Sequence, residues 1–186
     1  YHIQKQYFDK CLEELEIKEN ITFVIHDWGS ALGFNWAYEH QESVKGICYM
    51  EAIVKKISWE DWPKDAKSIF QGFRSDAGED LILKKNLFIE GVLPNAIIRN
   101  LTETEMDIYR KPFLKEIDRR PTLDWPRQIP INNEPEDVCK IVDDYSSWMS
   151  INEIPKLFIN ADPGSILTGK QREFCRKWKN QQELTV

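Results

Sequence analysis

Val24-Ile25-His26-Asp27-Trp28-Gly29-Ser30 is the stretch on which the reading of this chain turns. It follows Ile21–His26 (ITFVIH), which is β-branched and almost continuously apolar, the look of a strand buried on both faces of a parallel sheet. It leads into Gly29–His40, whose apolar spacing predicts a helix. A strand that turns sharply into a helix can present a single side chain above the end of the sheet, and the pattern for such a turn is G-x-Nuc-x-G. Asp27 holds the nucleophile position and Gly29 the second glycine, where it leaves room for a tight turn. Ile25 stands where the first glycine is usual.

An aspartate there changes the chemistry. A serine must lose a proton before it attacks, whereas a carboxylate is already charged at neutral pH and attacks carbon directly. That suits displacement at a saturated carbon from which an anion departs. Trp28 follows at once, and its indole N–H is a donor with no acceptor function. Its backbone N–H, at a helix N-terminus, is placed to stabilise an oxyanion during ester hydrolysis. The plainer alternative is that Asp27 caps the helix and Trp28 packs the core. His26 lies on the other side of the extended chain from Asp27, as strand alternation requires, and reads as a packing residue.

Outward from the turn, Ile3–Leu15 reads as an amphipathic helix with Tyr7, Cys11, Leu12 and Leu15 at helical spacing. Further strands are expected at Val44–Met50, Lys156–Asn160 and Glu183–Val186. Strand, helix and strand in short succession indicate right-handed crossovers and a parallel sheet. The long Trp- and Pro-bearing interval between the second and third strands has helical stretches at Ser58–Phe73, Glu79–Val92, Glu103–Phe113 and Pro135–Met149. It exceeds a simple crossover. It reads as a helical lid inserted over the C-terminal edge of the sheet, where such proteins bind ligands. The implied division is core at 1–53, cap at 54–154 and core again at 155–186.

Composition narrows the function. The chain has 186 residues, a formal net charge of −6 and 41% hydrophobic residues. No Lys/Arg run supplies the basic face that nucleic-acid binding requires, so no nucleic-acid partner is expected. No apolar run approaches the roughly 20 residues of a membrane span, and no membrane association is expected. Cys11, Cys48, Cys139 and Cys175 form no C-x-x-C pair, and His2, His26 and His40 show no metal-ligand spacing. Reduced thiols, no metal and a cytoplasmic location are the expectation. Seven tryptophans and nine phenylalanines are enough to line an apolar pocket as well as a core. Gly164-Ser-Ile-Leu-Thr-Gly169-Lys170 follows a strand and matches most of a phosphate-binding loop. Gln171 stands where that loop needs Ser or Thr for magnesium, which argues against nucleotide binding.

Four blocks carry a family resemblance: HDWGSALGFNWAYEH (His26–His40), VKGICYMEAI (Val44–Ile53), RRPTLDWPRQIPI (Arg119–Ile131) and PKLFINADPGSILTGKQREFCRKW (Pro155–Trp178). Together they resemble the haloalkane dehalogenases of the α/β-hydrolase superfamily, in the subfamily whose catalytic acid follows the strand after the nucleophile. Renilla-type, coelenterazine-dependent luciferases share that scaffold and most of these blocks. The resemblance implies an α/β-hydrolase fold, with a mostly parallel sheet, helices on both faces and an inserted helical cap, of which the later part of the sheet is present. It implies that Asp27 forms an alkyl ester with a small apolar halogenated substrate, that Trp28 holds the departing halide ion, and that Glu51 orients a histidine base. Asp162, after the third strand, matches the acid of other subfamilies and is the alternative. Phe70, Phe88, Pro126, Ile129 and Ile166 match substrate-pocket positions, and no cofactor is implied. The asparagine that would be the second halide donor and the catalytic histidine are not among these residues. A chain truncated at both ends is therefore expected.

Overall fold

The computed structural model describes residues Tyr1–Val186, and its four strands are parallel, in the order β1 (Ile21–His26), β2 (Val44–Ala52), β3 (Lys156–Asn160) and β4 (Gln181–Thr185). β2 continues past the expected Met50 to Ala52, and β4 opens at Gln181 instead of Glu183. Gln181 and Gln182 have no apolar signature, yet the ladder with Lys156 and Leu157 makes them strand. The register Ile25↔Tyr49, His26↔Met50 is followed by a bridge between Asp27 and Ala52, so the ends of β1 and β2 lie side by side.

Eight α-helical segments accompany the strands: α1 (His2–Glu14), α2 (Asp27–Glu39), α3 (Lys64–Arg74), the single turn α4 (Leu93–Asn95), α5 (Glu103–Arg110), α6 (Arg120–Gln128), α7 (Glu136–Ile151) and α8 (Gly169–Cys175). The chain divides into two compact units, Tyr1–Trp62 with Pro130–Val186, and Pro63–Ile129.

In the first unit, α2 is buried through Ala31, Phe34 and Ala37. Phe34 meets Tyr145 of α7, Tyr49 of β2 and Trp178 at ring distances of 5.5, 5.7 and 5.6 Å, and Tyr49 stacks on Phe158 at 5.2 Å. Each such ring stabilises the fold by about 1.5–3 kcal/mol through burial. β1 departs from the expected two-faced burial. Ile21, Phe23 and Ile25 are buried, while Thr22, Val24 and His26 are exposed, Val24 at 70%. The rings packed on β1, Phe8 of α1 and Trp36 of α2, both meet Phe23 and so cover the same side. The apolar stripe of α1 is likewise not core: Tyr7, Cys11 and Leu15 are exposed, and the helix has no buried residue.

At the opposite end of the sheet Lys156 is buried in the first position of β3. Its ammonium donates to four oxygens: the carbonyls of Asn152, Ile154 and Lys179, and Asn152 Oδ1, at 2.8–3.0 Å. Burial pulls its pKa down to about 8, and saturation of the three N–H donors compensates for the lost hydration.

The second unit closes around Phe73, Ile82 and Leu123, all fully buried, with Phe70, Leu81, Leu87 and Phe88 packed on them. Two arginines tie its loops. Arg74 donates to the carbonyls of Pro126, Arg127 and Ile129, and Arg119 to those of Leu83, Lys84, Phe113 and Leu114. The expected helix from Ser58 begins only at Lys64, after Pro63, and the stretch Glu79–Val92 forms two wide π turns, Asp80–Lys84 and Phe88–Val92. α6 matches none of the expected helical stretches, because Pro121 and Pro126 read as breakers. Pro121 falls in its first turn, where a missing N–H is harmless. Pro126 sits near the end of the helix, where it is buried.

Candidate active site

The turn after β1 sets the site. α2 starts at Asp27, two positions before the expected Gly29, so the aspartate is part of the first helical turn. Its φ of 46° is left-handed, a conformation costly for most side chains and less so for aspartate. Burial raises the pKa of its carboxyl above the ordinary value. The backbone N–H of Trp28 and the imidazole of His26 act in the opposite sense, and the charge of Glu51 pushes it further up. The carboxylate is thus partly desolvated and held by a backbone donor.

Gly29 is not the crowded glycine of this turn, contrary to the sequence expectation: a Cβ there would meet nothing within 4 Å. The close approach is at Gly33, where a Cβ would lie 2.9 Å from Ile25 Cγ2. Ile25, in the usual first-glycine position, is buried against α2, and Gly33 makes room for it. Trp28 is half-buried, with its ring 6.2 Å from that of Tyr1.

Glu51 ends β2 beside the turn and is also left-handed, at φ 37°. Its Oε2 accepts the N–H groups of Ser165 and Ile166 at 2.6 Å each, and its Oε1 accepts that of Leu167 at 3.3 Å. Bonds from backbone N–H to a carboxylate are strong ones, and these three fasten the carboxylate to the loop after β3. A Cβ on Gly164 would lie 3.0 Å from Glu51 Oε1, so that loop passes close to it. The segment beyond Glu51 is fixed as well: Tyr145 Oη donates to the Ile53 carbonyl at 2.5 Å, and Ser146 Oγ to that of Val54 at 2.6 Å. Ser30, fully buried, donates to the Asp27 carbonyl and accepts from the Ile53 N–H. The sequence reading passes over Ser30, Gly33 and the Ser165–Leu167 amides. A small hydroxyl three residues past the nucleophile was the only hint it offered.

Asp27, Trp28 and Glu51 therefore meet at one sheet end. Asp162 lies in the loop after β3, exposed, with its N–H on the Val186 carbonyl. Among the expected pocket residues, Ile166 belongs to the first unit and gives its N–H to Glu51. Phe70 and Phe88 pack around Phe73 at 5.7 and 6.2 Å in the second unit, where Pro126 and Ile129 offer their carbonyls to Arg74. His2 pairs with Asp137 at 2.6 Å and His40 stacks on Trp36 at 4.2 Å. No group of three or more His, Cys, Asp or Glu side chains is gathered to hold a metal ion, and no helix is long and apolar enough to cross a membrane.

Comparison with known proteins gives the same outline. A family described as alpha/beta hydrolase fold matches residues 1–96. A haloalkane dehalogenase of Sphingobium indicum is 54% identical over 100% of this chain, which spans 63% of that relative's length. A coelenterazine h 2-monooxygenase of Renilla reniformis is 39% identical over 86% of this chain and 52% of its own. The crystal structure of a haloalkane dehalogenase from Bradyrhizobium elkani superposes with a TM-score of 0.92 at 34% identity, covering 100% of this chain and 65% of that one.

Proposed function

The chain belongs to the alpha/beta hydrolase fold family, and from that premise we propose that it serves the hydrolytic dehalogenation of small haloalkanes, with Asp27 as nucleophile. The observation that carries this reading is Asp27 itself: a half-buried carboxylate, held left-handed on a strand-to-helix turn and flanked by a second carboxylate that backbone donors hold in place.

In the first step an Asp27 carboxylate oxygen attacks the carbon that bears the halogen. The new C–O bond forms as the C–halogen bond breaks, and the halide leaves with the bonding electron pair toward the Trp28 indole N–H. In the second step water, activated by an imidazole that Glu51 orients, attacks the ester carbonyl. Alcohol departs and the Asp27 carboxylate returns. Neither step calls for a cofactor. Glu51 is preferred to Asp162 because it ends β2 beside the Asp27 turn, whereas Asp162 lies exposed in the loop after β3. The cap of this reading is the interval 54–154, whose compact part is Pro63–Ile129 and whose last helix, α7, stays with the sheet. Phe70, Phe88, Pro126, Ile129 and Ile166 are its substrate-contacting candidates. The halogenated alkane and the halide ion are its partners, and a cytoplasmic location belongs to the same proposal.

The first step is testable on the chain as it stands. Incubation with 1-iodobutane is expected to add one butyl group to the peptide containing Asp27, seen by mass spectrometry, and to release iodide. Asp27→Asn is expected to leave that peptide without a butyl group. No adduct on the folded wild-type chain would remove the proposal. The Renilla relative supports a second reading, a coelenterazine-dependent monooxygenase on the same scaffold. Light emission with coelenterazine and no halide release would favour it. Absence of both would leave a binding protein or inactive fragment on the scaffold.

A further inference from the structure

Resting on that reading, the geometry points to Ser30 as a positioning residue that sets the nucleophile turn against the acid-bearing strand end. Ser30 has no exposure to solvent. Its Oγ donates to the carbonyl of Asp27 at 2.5 Å and accepts the N–H of Ile53 at 2.9 Å. One hydroxyl thus uses its donor and one acceptor lone pair on two backbone groups that belong to different elements.

Asp27 and Glu51 both have left-handed φ values, 46° and 37°, conformations that persist only where the surrounding structure holds them. The regular β1–β2 pairing ends at His26↔Met50, and past it the two chains are joined by the single bridge Asp27↔Ala52. The Ser30 hydroxyl adds the next tie, one residue further along the acid-bearing chain. The carbonyl of Ile53 is already committed to Tyr145, and that of Val54 to Ser146. Ser30 therefore links the Asp27 turn to a segment that α7 holds from the other side. Water cannot replace the hydroxyl in a fully buried position, so its removal leaves the Ile53 N–H without a partner and frees the Asp27 turn to shift. A displacement of about 1 Å at a nucleophile can cost on the order of 100-fold in rate.

The test follows butyl ester formation at Asp27, placed there by fragment ions so that a thioether at position 30 is not counted, over a range of 1-iodobutane concentrations in the wild-type chain, Ser30→Ala and Ser30→Cys. Expected for Ser30→Ala is a limiting rate lower by about tenfold or more, with the half-saturating concentration unchanged and the circular dichroism of a folded chain. Ser30→Cys, which keeps a weaker donor and acceptor in place, is expected to fall between. A purely structural role would move melting temperature alone, or rate and half-saturation together. Folded Ser30→Ala that alkylates at the wild-type rate overturns the inference. Should Ser30→Ala not fold, Ser30→Cys is judged by the same split: a reduced limiting rate upholds the assignment and an unchanged one overturns it. Should the folded wild-type chain form no adduct, the dehalogenase reading fails, and the coupling is decided by deuterium exchange. Faster exchange in Ser30→Ala at both Ile53 and the Asp27–Ser30 turn upholds the link, and wild-type exchange at both refutes it.

Discussion

On the proposed reading Asp27 is the reacting carboxylate, and its environment fixes how pH acts on it. Folding raises the pKa of Asp27 above its ordinary 3.8, chiefly by burial. Folding therefore favours the protonated form. The stability this contributes is full in acid below 3.8 and is lost as pH rises through the raised value. Asp27→Asn, which never carries the charge and tolerates a left-handed φ, is expected to melt a few degrees above the wild-type chain at neutral pH. That gain should shrink toward zero in acid. A thermal melt of both proteins across the acidic range measures it, and an Asp27→Asn chain less stable than wild type at pH 7 would contradict it. Alkylation should fail on the acid side at a pH above the ordinary carboxylate value. The placement of Asp27, Trp28 and Glu51 at neighbouring strand ends was legible, because each sits directly at the end of an apolar run. Ser30 was not legible, since a buried serine that serves two backbone groups looks the same in sequence as one on a helix surface.

At the scale of elements, apolar runs and helical spacing predicted β1, β2, β3 and α7 nearly to their ends. Where elements packed on only one side, the sequence misled. ITFVIH reads as almost continuously apolar, yet only the Ile21, Phe23 and Ile25 face is buried, and Thr22 and His26 on the other face were the sign of it. In the second unit α6 was hidden by its prolines, and Asp80–Val92 wound wider than the spacing suggested. The tight contact between α2 and β1 was also invisible, since it depends on which glycine faces Ile25. Gly33→Ala is expected to destabilise the chain by about 1–3 kcal/mol through overpacking. In the double variant with Ile25→Ala, which removes the obstructing methyl, the cost should be less than the sum of the two single changes. Chemical denaturation of the four proteins tests this, and strict additivity would show that the contact exerts no strain.

Across the whole molecule, two compact units each carry their own buried cluster, so damage to one should be felt first within it. Leu123→Ala, at the fully buried centre of Pro63–Ile129, is expected to cost about 2–5 kcal/mol. Deuterium exchange should show protection lost in that unit before the parallel sheet loosens. Simultaneous loss in both would show a single cooperative body. The sheet itself contains a means of following its own integrity. Lys156, buried and caged by four oxygens at the entry to β3, keeps its nitrogen out of reach of a reagent while the fold is closed. An acetylating or biotinylating ester applied briefly should tag exposed lysines such as Lys140 and spare Lys156. Appearance of the tag at Lys156 then counts molecules whose sheet has opened, one chain at a time, without any engineered probe.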